Sequence, residues 1–122
     1  QHVLEPLYAY LMICRAQYEN GKYAGYYNVG PDDCDCITTG DLVTLFCHKW
    51  GDGLHWNNQS KENSPHEANF LKLDSVFGWK PRWHIDQAVE KTVELAKIYQ
   101  KNEGIATCME KQIEEFMSTG EK

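Results

Sequence analysis

Tyr23-Ala24-Gly25-Tyr26-Tyr27-Asn28-Val29 is aromatic and β-branched in character, with Gly21 before it and Gly30-Pro31 after it. Such composition between breakers predicts a strand of about six residues, leading into a polar loop, Pro31 to Cys36. On its N-terminal side, Pro6 suits a first helical turn, and Leu7, Leu11, Cys14 and Tyr18 recur at helical spacing until Asn20-Gly21, so residues 6–19 read as a helix. On its C-terminal side, Thr39 with Asp41 in the first turn starts an amphipathic helix carrying Leu42, Val43, Leu45, Phe46 and Trp50, which Gly51 stops. Leu54 to Trp56 and Asn69 to Leu73 read as further short strands, with Asn57 to Pro65 an exposed loop between them. Asp86 then caps a helix whose Ala88, Val89, Val93, Ala96 and Tyr99 share one face, ending near Asn102 to Gly104. A last amphipathic segment carries Ile105, Met109, Ile113 and Phe116. Helices alternating with short strands predict the α/β class: a small mixed sheet flanked by helices.

At 122 residues and 42% hydrophobic composition, the chain can bury one core, and residues 1–122 are expected to form one domain. It starts at Gln1, and Val3-Leu4-Glu5-Pro6-Leu7 already has the character of structured sequence, so a larger protein is expected around it. No run of about 18 apolar residues and no basic start leading into an apolar stretch argue for membrane insertion or export, and a cytoplasmic location is expected. The net charge of −6, with no clustered Lys or Arg, disfavours nucleic acid as a partner. The five cysteines are odd in number and suit reduced thiols.

The spacing G-x-G-x-x-G, whose glycines let a backbone approach a pyrophosphate, occurs nowhere, and neither does a Walker-type loop. Tyr18 and Lys22 have the Y-x-x-x-K spacing in which a lysine one turn along a helix activates a tyrosine, but Asn20-Gly21 stops the helix between them. Five histidines and the Cys34/Cys36 pair raise the question of zinc, yet there is no C-x-x-C and no paired H-x-x-x-H, so no metal site is assigned. His66-Glu67, before an expected strand, could hold sugar hydroxyls or phosphate oxygens, or could be a solvated loop pair. Asn28, near the end of the expected strand, stands where open α/β sheets contact ligands, or satisfies the turn. Trp79-Lys80-Pro81-Arg82-Trp83 reads as structural, its aromatics packing on the helix that follows, with Arg82 available for cation–π support.

Four segments in one order carry a resemblance. They are Gln1-His2-Val3-Leu4-Glu5-Pro6-Leu7, Tyr27-Asn28-Val29-Gly30-Pro31-Asp32-Asp33, His66-Glu67-Ala68 running into Phe70-Leu71-Lys72-Leu73-Asp74, and Gly78-Trp79-Lys80-Pro81-Arg82-Trp83. Together with the helix Ala88 to Leu95, they resemble the C-terminal region of the CDP-glucose 4,6-dehydratases, members of the extended short-chain dehydrogenase/reductase family. The resemblance covers residues 1–104 and leaves 105–122 as an accessory helical tail. It implies a substrate-binding domain lacking the Rossmann half, within an enzyme that oxidises the sugar at C4 with NAD, loses water across C5 and C6, and returns the hydride. NAD would belong to the full-length enzyme and not to this chain, which would hold no catalytic residue and would form walls of the nucleotide-sugar pocket. By similarity Asn28 faces the nucleotide, His66 the diphosphate, and Glu67 is its neighbour. Two departures are visible: Asn63 stands where related dTDP-sugar enzymes have an Arg three residues before the His, and Ser75-Val76-Phe77 is a shortened connection. The alternative is a free-standing interaction or scaffold domain. Self-association is expected of either, because a truncated sheet would expose apolar faces.

Overall fold

The computed structural model describes residues 1–57 and 76–120. Within them the chain forms four α-helices: α1 (Leu4–Glu19), α2 (Thr39–Trp50), α3 (Ile85–Lys101) and α4 (Ile105–Ser118), with 3₁₀ turns at Gly21–Tyr23 and Asp33–Asp35. No strand occurs among the described residues, which overturns the α/β expectation and its mixed sheet. The Asn69 to Leu73 segment and the Asn57 to Pro65 loop lie wholly or mostly outside the described residues.

The strand expected at Tyr23 to Val29 does not form, and no strand among the described residues lies beside it. Side chains meet the carbonyls at its two ends: the Tyr27 hydroxyl donates to the Tyr23 carbonyl at 2.6 Å, Gln17 Nε2 to the same carbonyl at 3.3 Å, and Gln1 Nε2 to the Val29 carbonyl at 3.4 Å. Tyr26 is 94% exposed, while Tyr27 tilts against Phe77 with ring centroids 5.2 Å apart. A segment with strand composition thus lies extended, held by its side chains; β-propensity measures fit to a sheet surface, and no described strand supplies one. Leu54 to Trp56 fails for a local reason. Gly51, Asp52 and Gly53 all have positive φ, at 74°, 55° and 69°, a left-handed run that turns the chain off the end of α2. Trp56 then folds back, its indole N–H donating to Thr44 Oγ1 at 3.1 Å.

Several helix ends have an identifiable cause. Thr38, one residue earlier than expected, caps α2 by accepting the Asp41 N–H at 3.2 Å. Asn20, in an extended conformation, ends α1 where the Asn-Gly pair predicts a stop, so Tyr18 and Lys22 do not share a helix. Asn102, at φ 53°, closes α3. α3 begins at Ile85 with no side-chain cap from its own N-cap residue, His84; the capping acceptor is the distant Asp35, whose Oδ1 takes the Ile85 N–H at 2.9 Å.

The faces that these helices bury differ from the apolar stripes read in the sequence. α1 turns Glu5, Ala9 and Ile13 inward, a row at four-residue spacing, and Ala9 and Ile13 pack on Trp79. Its longer apolar stripe, Leu7, Leu11 and Tyr18, stays 49%, 71% and 93% exposed. α3 packs between α2 and α4 and buries Ala88, Val89 and Val93 as expected, whereas Tyr99 is exposed. α4 buries Cys108, Gln112 and Phe116 rather than Met109 and Ile113. Gln112 can be buried because its Nε2 donates to the Lys91 carbonyl and to Glu94. Polar pairs join the same layers: Lys49 on α2 reaches Asp86 and Glu90 on α3, and Lys91 on α3 reaches Glu115 on α4.

The N-terminal helix is joined to this stack through Glu5 and the residues Arg82 and Trp83. Glu5 is fully buried, and its Oε1 accepts the backbone N–H groups of both Arg82 and Trp83 at 2.8 Å. Trp83, 1% exposed, meets Phe116 of α4 edge-on at 5.2 Å and His2 at 5.0 Å, and Trp79 packs on α1. Both tryptophans are thus buried, but not mainly on the helix that follows, the packing expected from the sequence. Arg82 does make cation–π contact, with Tyr8 at 4.1 Å and Phe116 at 5.2 Å, while Nη1 donates to the Phe116 and Met117 carbonyls at the end of α4.

Burial raises the Glu5 carboxyl above the ordinary carboxylate range, outweighing its two backbone hydrogen bonds and the nearby Arg82. A raised carboxyl contributes stability that is present below the unfolded-state value and lost as pH rises through the folded one. Glu5→Gln, which keeps an acceptor and removes the charge, is therefore expected to match wild type in acid and to equal or exceed it at neutral pH. Glu5→Ala orphans two N–H groups at about 1–3 kcal/mol each, so its melting temperature should fall by several degrees at every pH. Thermal melts of the three proteins across the acid-to-neutral range check both statements.

Candidate functional site

Of the three residues singled out from the sequence as substrate contacts, Asn28 lies within the described residues, whereas His66 and Glu67 lie outside them. Asn28 is exposed on the extended segment between the Gly21–Tyr23 turn and the Asp33–Asp35 turn, and among the described residues its side chain makes no hydrogen bond. Its neighbours Tyr27 and Val29 pack inward against the Ala9, Ile13 and Trp79 core, so the alternation of an extended chain turns Asn28 outward.

That segment delivers the chain into a turn where chemistry-bearing side chains gather. Donor atoms of Asp32, Cys34, Asp35 and His84 all lie within 4.8 Å of one another. The 3₁₀ turn sets the first three, with the Asp35 N–H donating to the Asp32 carbonyl at 2.9 Å and the Cys36 N–H to the Asp33 carbonyl at 3.2 Å. Asp35, buried to 8% exposure, bridges two elements: Oδ1 accepts the Ile85 N–H and Oδ2 lies 2.8 Å from His84 Nδ1. The Asp35 hydrogen bond and charge, with smaller contributions from Asp32 and Glu5, raise the His84 imidazole above its ordinary value of 6.5.

The sequence reading missed this group because it tested ligand spacing along the chain, and His84 is 49 residues from Asp35. The available signals were a turn dense in donor side chains, Asp32-Asp33-Cys34-Asp35, and a histidine just before a helix start.

Two cavities lie elsewhere and differ in character. One of about 390 Å³ runs between α2 and α3, lined by Leu42, Val43, Phe46, Ile85 and Val89. The other, about 1050 Å³, opens among α2, α3 and α4 beside Trp50, Leu95, Tyr99, Ile105 and Met109. Among the described residues their walls are mostly apolar, with Gln1, Thr92 and Gln100 as the polar side chains and no Lys or Arg to pair with a diphosphate.

Comparison with known proteins relates the chain to a dehydratase. The relative is CDP-glucose 4,6-dehydratase of Salmonella typhimurium strain LT2, to which the chain is 36% identical over 124 aligned residues, covering 97% of this chain and 34% of the relative. The chain thus spans about a third of that protein's length, and the match covers nearly all of this chain, so it runs past residue 104, where the resemblance was expected to end. No family model matches. No helix among the described residues is long and apolar enough to cross a membrane.

A raised imidazole contributes stability that is fully present below its unfolded-state value and lost as pH climbs through the folded one. The stability gap between wild type and His84→Gln, measured in chelator, should be widest below about pH 6.5 and should close at higher pH. Asp35→Ala removes the acceptor at the start of α3 and is expected to cost roughly 0.5–2 kcal/mol at neutral pH, read by chemical denaturation.

Proposed function

We propose that this chain is the substrate-binding portion of a cytoplasmic, NAD-dependent nucleotide-sugar dehydratase that converts CDP-glucose to CDP-4-keto-6-deoxyglucose, and that it is inactive by itself. The observation that carries this reading is the 36% identity to a CDP-glucose 4,6-dehydratase across 97% of the chain, against only 34% of the relative. Chemistry that needs a bound dinucleotide also needs a glycine turn at a strand–helix junction, and the 122 residues contain no G-x-G-x-x-G. With no such turn in the sequence, no hydride step is assigned to this chain, and NAD is assigned to a Rossmann half of the larger enzyme.

The exposed stripe of α1 supports the same reading. Val3, Leu7, Tyr10 and Leu11 are 61%, 49%, 56% and 71% exposed on one helix, an apolar face suited to a second folded body. With that half docked, residues 1–122 form one domain, with α4 as its accessory tail. Asn28 is then the nucleotide contact, and His66 and Glu67 the contacts near the diphosphate. Its other partners are the nucleotide sugar and a second copy in a homo-oligomer.

Replacing the matching third of the Salmonella enzyme with this chain tests the assignment. The chimera is expected to convert CDP-glucose in the presence of NAD, whereas the chain alone with NAD should not. Asn28→Ala in the chimera should raise KM for CDP-glucose by about tenfold, the worth of one good polar contact. A folded chimera that binds NAD yet leaves CDP-glucose unchanged would reject the proposal.

A further inference from the structure

We propose that Asp32, Cys34, Asp35 and His84 form a binding site for a divalent transition-metal ion of the zinc type, which clips the turn after the extended segment to the start of α3. The proposal is independent of the dehydratase reading. Four protein donors leave no open coordination position, so the ion's role is structural.

Geometry is the first argument. Zinc bonds of about 2.0–2.3 Å in a tetrahedral shell hold neighbouring donors roughly 3.3–3.8 Å apart. The four donors here already lie within 4.8 Å of one another, so adjustment of about 1 Å closes the shell. Cys34 and His84 are exposed and can supply that movement by side-chain rotation, without displacing the turn. The backbone bonds of Asp35 and Cys36 and the Ile85 N–H on Asp35 hold the frame in which they move.

Donor chemistry selects the ion. A thiolate, an imidazole and two carboxylates suit zinc or a neighbouring first-row ion, whereas calcium and magnesium call for all-oxygen shells of six or more ligands. Charge points the same way. Asp32, Asp33 and Asp35 crowd one short turn, and the one group of the cluster that can carry positive charge is His84, already drawn toward Asp35 at 2.8 Å. A dication takes over the neutralising role that His84 otherwise shares. Cys34 loses its thiol proton to solvent on ligation, as does the imidazole if charged, so metal affinity rises with pH.

Cobalt(II) titration of the chelator-treated, reduced chain is the test. One Co²⁺ per chain is expected, with intense tetrahedral ligand-field bands and a thiolate-to-cobalt charge-transfer band, and Zn²⁺ should displace it and raise the melting temperature. Cys34→Ser should abolish the charge-transfer band, and His84→Ala and Asp32→Asn should each weaken binding by about tenfold or more. Cys36→Ser should leave the spectrum unchanged, because its thiol faces the Asp32 carbonyl instead. These substitutions spare Asp35, whose loss would uncap α3 and confuse binding with unfolding. Absence of a charge-transfer band in wild type, or its survival in Cys34→Ser, would overturn the assignment.

Discussion

The carboxylate of Glu5 accepts two consecutive backbone N–H groups, from Arg82 and Trp83, across nearly eighty positions of sequence. A buried, fully dehydrated carboxylate is costly, and it persists here because the peptide groups it serves would otherwise be unpaired in the same interior. Among the described residues its other oxygen and the indole N–H groups of Trp79 and Trp83 meet no hydrogen-bond partner. Around it Trp83, Phe116, His2 and the Arg82 guanidinium interlock, joining the first helix, the last helix and the entry to α3. The His2 imidazole, inside that junction, is lowered from its ordinary value first by burial, with Lys91 acting in the same direction.

This junction explains why the loop residues of chemical interest stand where they do. Once Trp83 is anchored, His84 must emerge at the first turn of α3, and the Asp33–Asp35 turn meets it there through a carboxylate that caps the helix. Asp35 therefore serves as both cap and charge partner, which couples the extended Asn28 segment to the helical stack. α1, by contrast, spends its inward face on small and medium side chains and leaves its largest apolar residues outside. Among the described residues this leaves α1 with an exposed apolar face.

Helix positions were legible because their signals are local. Asn20-Gly21, Gly51 and Asn102 stop helices through backbone conformation alone, and Thr38-Thr39-Gly40-Asp41 contains a capping pattern readable within one residue. The strands were not legible for the complementary reason. Tyr23 to Val29 has strand composition, but a strand exists only when a second segment offers its hydrogen-bonding edge, and here side chains of Gln1, Gln17 and Tyr27 meet the carbonyls at its two ends. Of the candidate site, Asn28 was placed on an outward-facing position of an extended segment, while the Asp32, Cys34, Asp35 and His84 group was invisible to any rule based on spacing.

By itself, then, the amino-acid order determined where helices start and stop, the acidic balance that disfavours phosphate backbones, the lack of a dinucleotide fingerprint, and a resemblance carried by four ordered segments. Only the tertiary structure decided that no sheet forms among the described residues, which stripe of α1 is buried, and that Asp35 and Glu5 act on peptide groups about fifty and eighty residues away. The division follows the range of the forces. Backbone propensity and capping act within a turn or two, whereas sheet pairing, the choice of a buried face and the capture of a distant N–H depend on what else the folded chain brings within reach.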